Sequence, residues 1–209
     1  MYRTPRDEAI LRTLTHRVRM LSLEQIARTW WSDSDASRET ARRRLRHLAS
    51  AGLLERVEIL THPILALDGP LFFWTEGGSP PDSGALSYRL KARWTESPEA
   101  TSVYVATRRA ANEFGGFGGP IKARYQATHD LHVSEVFLRL TENHPEVESF
   151  WTAEEQLPNR RNDFNPDAEI RDSAGATTLV VEFGGAYEVD RVEHIHASCE
   201  GRGVPYQIW

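Results

Sequence analysis

Between Thr4 and Gly52, apolar residues return at helical spacing in three consecutive runs, each with its own start or stop signal. Thr4-Pro5 supplies a cap and a first-turn proline, and Asp7-Glu8 complement the positive end of a helix that places Ile10, Leu11, Leu14 and Val18 on one side. Ser22-Leu23-Glu24-Gln25 has the form of a capping box and opens a second run with Leu23, Ile26, Ala27 and Trp30 on one face. The polar turn Ser32-Asp33-Ser34-Asp35 follows. A third run starts near Ser37 and ends at Ala51, before Gly52, which suits a left-handed C-terminal cap. Such a pattern folds as three short helices around one small core.

The third run is the chemically pointed one. Ala41, Leu45 and Leu48 form its buried side, while Arg38, Arg42, Arg43, Arg44 and Arg46 crowd the remaining surface. A guanidinium fork meets a guanine edge or a phosphate with paired hydrogen bonds. The phrase from Ser37 to Leu54 resembles the recognition helices of bacterial winged-helix proteins. With the strand-like Leu53–Ile59 behind it, this predicts a winged helix-turn-helix whose third helix enters the major groove through Arg38, Thr40, Arg42, Arg43 and Arg46. The competing reading is a solvated arginine face on an ordinary bundle.

Further along, Val57–Leu60, Ile64–Leu67 and Leu71–Trp74 read as strands of a wing or small sheet, and 86–94 as irregular or a short helix. A strand over 102–107 and a short helix over 108–114 come next. Gly115-Gly116-Phe117-Gly118-Gly119-Pro120 lacks the Gly-Lys-Ser/Thr ending of a phosphate loop and reads as a linker or tight turn. The predicted division is therefore 1–120 and 121–209, with the boundary between 115 and 128.

Charge supports two domains. Residues 1–60 carry 12 Arg against 8 carboxylates, whereas 129–209 carry 6 basic and 16 acidic groups. The lone Cys199 excludes an internal disulfide framework, no apolar run is long enough to span a bilayer, and the first residues lack a signal-peptide pattern. The expectation is a cytoplasmic protein with no membrane partner. Trp30-Trp31 and Phe72-Phe73-Trp74 are read as packing residues rather than base-stacking platforms. His129, His132, His194 and His196 show no zinc-binding spacing.

The back half predicts a helix from His129, a strand over 147–151 continuing toward Leu157, strands over 167–171 and 177–183, a helix over 188–200 and a last strand over 204–209. Pro166-Asp167 and Glu182 bracket a strand hairpin in the stretch from Asn159 to Gly185. This layout and its α-β-β-β-α-β order resemble the restriction-endonuclease-like, PD-(D/E)xK domain. The third motif of that family is acid, any residue, lysine; here it is Glu182-Phe183-Gly184, and the lysine is missing.

The whole chain resembles the replication-relaxation family, which joins an N-terminal winged helix to an endonuclease-like domain. The resemblance rests on the Arg-rich helix ending at Gly52, on Val103-Tyr104-Val105-Ala106-Thr107-Arg108-Arg109-Ala110, on His129-Asp130-Leu131, and on Pro166-Asp167-Ala168 with Val181-Glu182. It implies an α+β fold and a sequence-specific duplex-DNA-binding protein linked to plasmid or mobile-element replication, mobilisation or transcription control.

The nuclease-like domain is read as inactive, with no cofactor, docking a second protomer or a protein partner through its acidic surface. The alternative is a metal-dependent DNA endonuclease targeted by the winged helix. In that case Asp167 and Glu182 would hold Mg²⁺, Glu135 would add a third carboxylate, and Arg191 or Lys122 would replace the missing lysine. A third reading is an interaction protein that binds no DNA.

Overall fold

The computed structural model describes residues 2–121, 123–159 and 164–209. Lys122 and residues 160–163 of the motif-bearing stretch therefore lie outside the description. In chain order the elements are α1 (Pro5–His16), β1 (Leu21–Ser22), α2 (Leu23–Trp30), α3 (Asp35–Ser50), β2 (Leu54–Thr61), β3 (Phe72–Trp74), α4 (Ser83–Ala92), β4 (Glu99–Ala106), α5 (Arg108–Phe114), α6 (Ala127–Asn143), α7 (Val147–Phe150), β5 (Trp151–Ala153), β6 (Ala168–Arg171), β7 (Thr177–Glu182), α8 (Val189–Gly201) and β8 (Tyr206–Ile208). The fold is mixed α+β with two sheets. No helix among the described residues is long and apolar enough to cross a membrane.

The helix signals act as the sequence predicts. Thr4 Oγ1 accepts from the Asp7 amide at 3.3 Å, and the Asp7 carboxylate accepts the Thr4 amide at 2.6 Å. Ser22 and Gln25 make the same reciprocal pair. Each box satisfies amides that the first helical turn leaves without partners. Helix α3 starts earlier than expected, because Ser34 rather than Ser37 caps it. Gly52 ends it at φ 71°, a backbone state that glycine enters without steric cost.

Two compact units emerge. One comprises Met1–Ile64 and Pro98–Leu138, the other Leu65–Ser97 and Arg139–Trp209. This differs from the single cut expected between 115 and 128. The glycine cluster is not a linker: the Phe117 amide donates to Thr15 O and the Gly119 amide to Ala106 O, both at 2.8 Å. A Cβ on Gly116 would sit inside the Thr15 carbonyl group, so only glycine allows this approach. The start of α6 then joins the first unit's core, where Ala127 and Leu131 pack with Met20, Ile59, Val103 and Val105.

In the first unit the sheet order is β1-β4-β2, antiparallel throughout. Strand β2 pairs along its length with β4, from Leu54 opposite Ala106 to Thr61 opposite Glu99. The small sheet expected from 57–75 is thus corrected. Residues 64–67 form no strand, and β3 pairs with β8 in the other unit. Pro63 and the Asp68-Gly69-Pro70 turn break the run after β2, and Trp74 finds Tyr206 to stack on, at 5.9 Å.

One buried ion pair fastens α3 to α1. Asp7 is fully buried and accepts Arg44 Nε at 2.8 Å, with a second contact from Nη2. Burial works against the Asp7 charge, but hydrogen bonds from Arg44 and Thr4 outweigh it and hold the carboxyl below its ordinary value of 3.8. The folded state therefore gains from ionised Asp7 above the unfolded value and loses that gain as pH falls through the folded one. We expect Asp7→Asn to cost about 1–3 kcal/mol at neutral pH and to flatten the acid limb below about pH 4 in thermal melts across pH.

The second unit has the sheet order β3-β8-β7-β6-β5. Strands β5, β6 and β7 form an antiparallel meander, and β7 runs parallel to β8 through the crossover helix α8. Val180, Val192, Ile195, Cys199, Tyr206 and Ile208 form the core between sheet and helix, joined by Leu86 and Leu90 of α4. The strand expected from Val147 is corrected: amides of Val147 and Glu148 bond back to His144 and Pro145, giving the short helix α7. Pairing begins only at Trp151, opposite Ile170, and a 3-10 turn over Glu154–Gln156 ends it before Leu157. The 86–94 region is helical because Asp82 caps α4 through the Ala85 amide.

Candidate functional site

Helix α3 buries Ala41, Leu45 and Leu48, the three positions its apolar spacing selects. On its other sides Thr40, Arg42, Arg43 and Arg46 are exposed and Arg38 is half-buried. The arginines are not equivalent. Arg38 pairs with Asp35 and lies 3.6 Å from Asp33. Arg42 donates to Glu39 at 2.6 Å, and Arg46 stands 3.6 Å from the same carboxylate. Arg44, counted with the surface set from sequence, turns inward to Asp7 instead. Thr40 Oγ1 donates to Ala36 O, leaving its oxygen free to accept.

Asp167 and Glu182, fifteen positions apart in sequence, are brought together by the β6–β7 register, in which Ala168 faces Val181. The Asp167 amide donates to Glu182 Oε2 at 3.2 Å, and Asp167 Oδ2 accepts the Phe183 amide at 2.7 Å. Glu182 is buried. Its Oε1 accepts the Tyr187 hydroxyl at 2.7 Å and Arg191 Nη2 at 3.3 Å. Burial, then the negative charges of Glu182 and Asp167, push the Tyr187 hydroxyl far up, so it serves as a donor. Burial opposes the Arg191 charge, yet Glu182 holds it above its ordinary value.

Glu135, the third carboxylate proposed from sequence, is buried. Its carboxylate belongs to the first unit, where Arg28 Nη2 reaches both oxygens at 3.0 and 2.9 Å and Gln25 Nε2 donates at 3.1 Å. It fastens α6 to α2 as a buried structural acid.

Gly184, which stands where the resembled motif has lysine, is tightly packed. A Cβ on Gly184 would lie 2.6 Å from Leu90 Cδ2 and 2.9 Å from Ile208 Cγ2. The Gly184 carbonyl accepts Arg93 Nη2, and the Arg93 guanidinium lies 4.5 Å from the Phe183 ring centroid. Burial lowers Arg93 to about 10, so it stays a cation at neutral pH. Glu182 thus accepts the Asp167 amide, the Tyr187 hydroxyl and the Arg191 guanidinium, and Asp167 Oδ2 accepts the Phe183 amide, so a divalent cation here would compete with these donors and with the Arg191 charge.

Two features escaped the sequence. Tyr187 lies beyond a Gly-Gly turn with no periodic signal. Glu169 is fully buried and accepts Arg171 Nη2 and Thr177 Oγ1, both at 2.8 Å, with Arg202 3.6 Å away. Strand periodicity could have flagged Glu169, because it is two residues after Asp167 and shares its face. Of the histidines, His132 is buried with Nδ1 2.6 Å from Thr128 O. No group of three or more metal-binding side chains forms among the described residues. Comparison with protein-family models, with curated proteins and with solved structures finds no match.

Proposed function

We propose that this chain is a sequence-specific duplex-DNA-binding protein of the replication-relaxation type, serving replication, mobilisation or transcription control of a plasmid or mobile element. The observation that carries the reading is α3: a helix held by three small and apolar contacts, its opposite sides studded with exposed Thr40, Arg42, Arg43 and Arg46. The first unit is read as a winged helix, with α2 and α3 as the helix-turn-helix and the β2–β4 ribbon as the wing. In this reading α3 enters the major groove and the wing lies along the backbone.

The second unit is read as a restriction-endonuclease-like scaffold that does not cut. Its meander, crossover helix and parallel last strand support the scaffold. The closed Gly184 position and the Arg191–Glu182 pair support loss of cleavage. Its acidic surface would then dock a protein partner or a second protomer. Metal-dependent cleavage stays as a second reading because Asp167 and Glu182 do meet. Incubation of supercoiled plasmid with Mg²⁺ or Mn²⁺ separates the two: nicking by the wild type that disappears in Asp167→Asn would establish the endonuclease.

The Glu39 carboxylate gives the DNA reading a signed test. It shares its charge with Arg42 and Arg46, and must release them for both to reach DNA. Glu39→Gln is expected to tighten duplex binding severalfold, whereas Arg42→Glu with Arg46→Glu abolishes it in a gel shift. Equal affinity across all three proteins would mean that α3 is not the DNA-binding surface, and no binding by any of them would point to assembly instead.

A further inference from the structure

We infer that a cleft between α1, the end of α2 and α3 is a seat for the phosphodiester backbone of duplex DNA. This deepens the proposed function and rests on it. Thr4, Arg6, Trp31, Thr40, Arg43, Arg44 and His47 line the cleft. No carboxylate is among them. Asp7, bonded to the lining residue Arg44, is fully buried, and Glu39, the acid next to Thr40 on α3, contacts Arg42 and Arg46.

The cleft is organised for an anion in ways the rest of α3 is not. Arg38, Arg42 and Arg46 each stand beside a carboxylate. Arg43 forms no ion pair with any described residue and is exposed. Arg6 likewise has no acidic partner among the described residues. Its guanidinium instead lies 4.4 Å from the Trp31 ring centroid, stacked in place with its N–H edge open.

Arg44 forms the floor, fixed by Asp7 and by a 3.0 Å bond from Nη2 to Tyr2 O. Two guanidiniums and the His47 imidazole thus converge without local neutralisation. Thr40 stands at the rim, where the cleft meets the groove-reading side of α3. A backbone phosphate seated here would fix how deep α3 sits and in which register, and would carry no base preference of its own.

Non-specific binding isolates this contribution, because it depends on phosphates alone. The probe is a fluorescein-labelled duplex of mixed sequence, read by anisotropy across a salt series. Arg6→Ala with Arg43→Ala is expected to weaken binding about tenfold at low salt and to reduce the log–log salt slope by about two, one for each lost phosphate contact. Arg6→Lys with Arg43→Lys should keep the wild-type slope, which separates lost charge from lost fold. Tryptophan emission should change on adding unlabelled duplex, and the Trp31-dependent part of that change should be lost in Trp31→Phe.

An unchanged slope and affinity in the double alanine variant, with the wild type binding normally, overturns the cleft and leaves the DNA reading standing. A wild type that binds no duplex at any salt removes both. Inorganic phosphate that alters Trp31 emission as fully as the duplex does would make this a small-anion pocket and overturn the backbone assignment.

Discussion

Gly184→Lys, which supplies the lysine of the endonuclease-like motif that the chain resembles, is expected to destabilise the protein by about 3 kcal/mol or more and to create no nuclease activity. The first β-carbon alone would approach Leu90 and Ile208 to 2.6 and 2.9 Å. Both neighbours are fully buried core residues, Leu90 on α4 and Ile208 on β8. A longer side chain must then push α4 outward or bend back toward Arg93 and Arg191, where an ammonium would meet like charge. Even a tolerated lysine would face carboxylates already committed to Tyr187, Arg191 and the Phe183 amide. Urea unfolding should show a lower midpoint than wild type, and the plasmid assay should stay flat in Mg²⁺ and Mn²⁺. Metal-dependent nicking gained by this variant would show that lysine loss alone had silenced an otherwise intact site.

The largest single loss of stability is expected at Glu169. Its side chain is wholly buried and gathers Arg171, Thr177 and Arg202 on the face that α8 covers. Two guanidinium nitrogens of Arg202 are already buried without a hydrogen-bond partner, so the cluster has no spare acceptor. Glu169→Ala leaves two cations facing each other over a cavity. Breaking a buried pair from one side costs about 3–5 kcal/mol, a large part of the stability of a domain of this size. Glu169→Gln keeps the acceptor oxygen and the volume, and should lose less. Chemical denaturation of the two variants provides the check. Equal, small losses would mean that the arginines are held by something other than Glu169.

These two sites show where the sequence was legible. The helices of the first unit were readable because caps and apolar spacing are local: Thr4, Ser22 and Gly52 act within a few residues of themselves. Strands β6 and β7 and helix α8 were readable for the same reason, each bounded by turn residues, whereas the segment from Val147 read as a strand and forms α7 before the short β5. The pairing of Asp167 with Glu182 followed from one hairpin.

What stayed hidden depends on distant partners. Nothing near Phe72 says that it pairs with Ile208, and nothing in the glycine cluster says that Gly116 lies against Thr15. The fates of Arg44 and Glu135 were likewise set by Asp7 and Arg28, residues far off in sequence. Position 184 read as a lost lysine, and nothing in the sequence signals that Leu90 and Ile208 crowd it so closely that a β-carbon would have to displace them.

The proposed function rests on α3 reading base pairs. Selection from a random duplex pool, with Arg42→Glu/Arg46→Glu as the control, tests it directly. The wild type is expected to enrich a short motif of a few base pairs, doubled as an inverted repeat if two copies bind, and the control to enrich nothing. A pool that emerges from the wild type as random as it does from the control would contradict it.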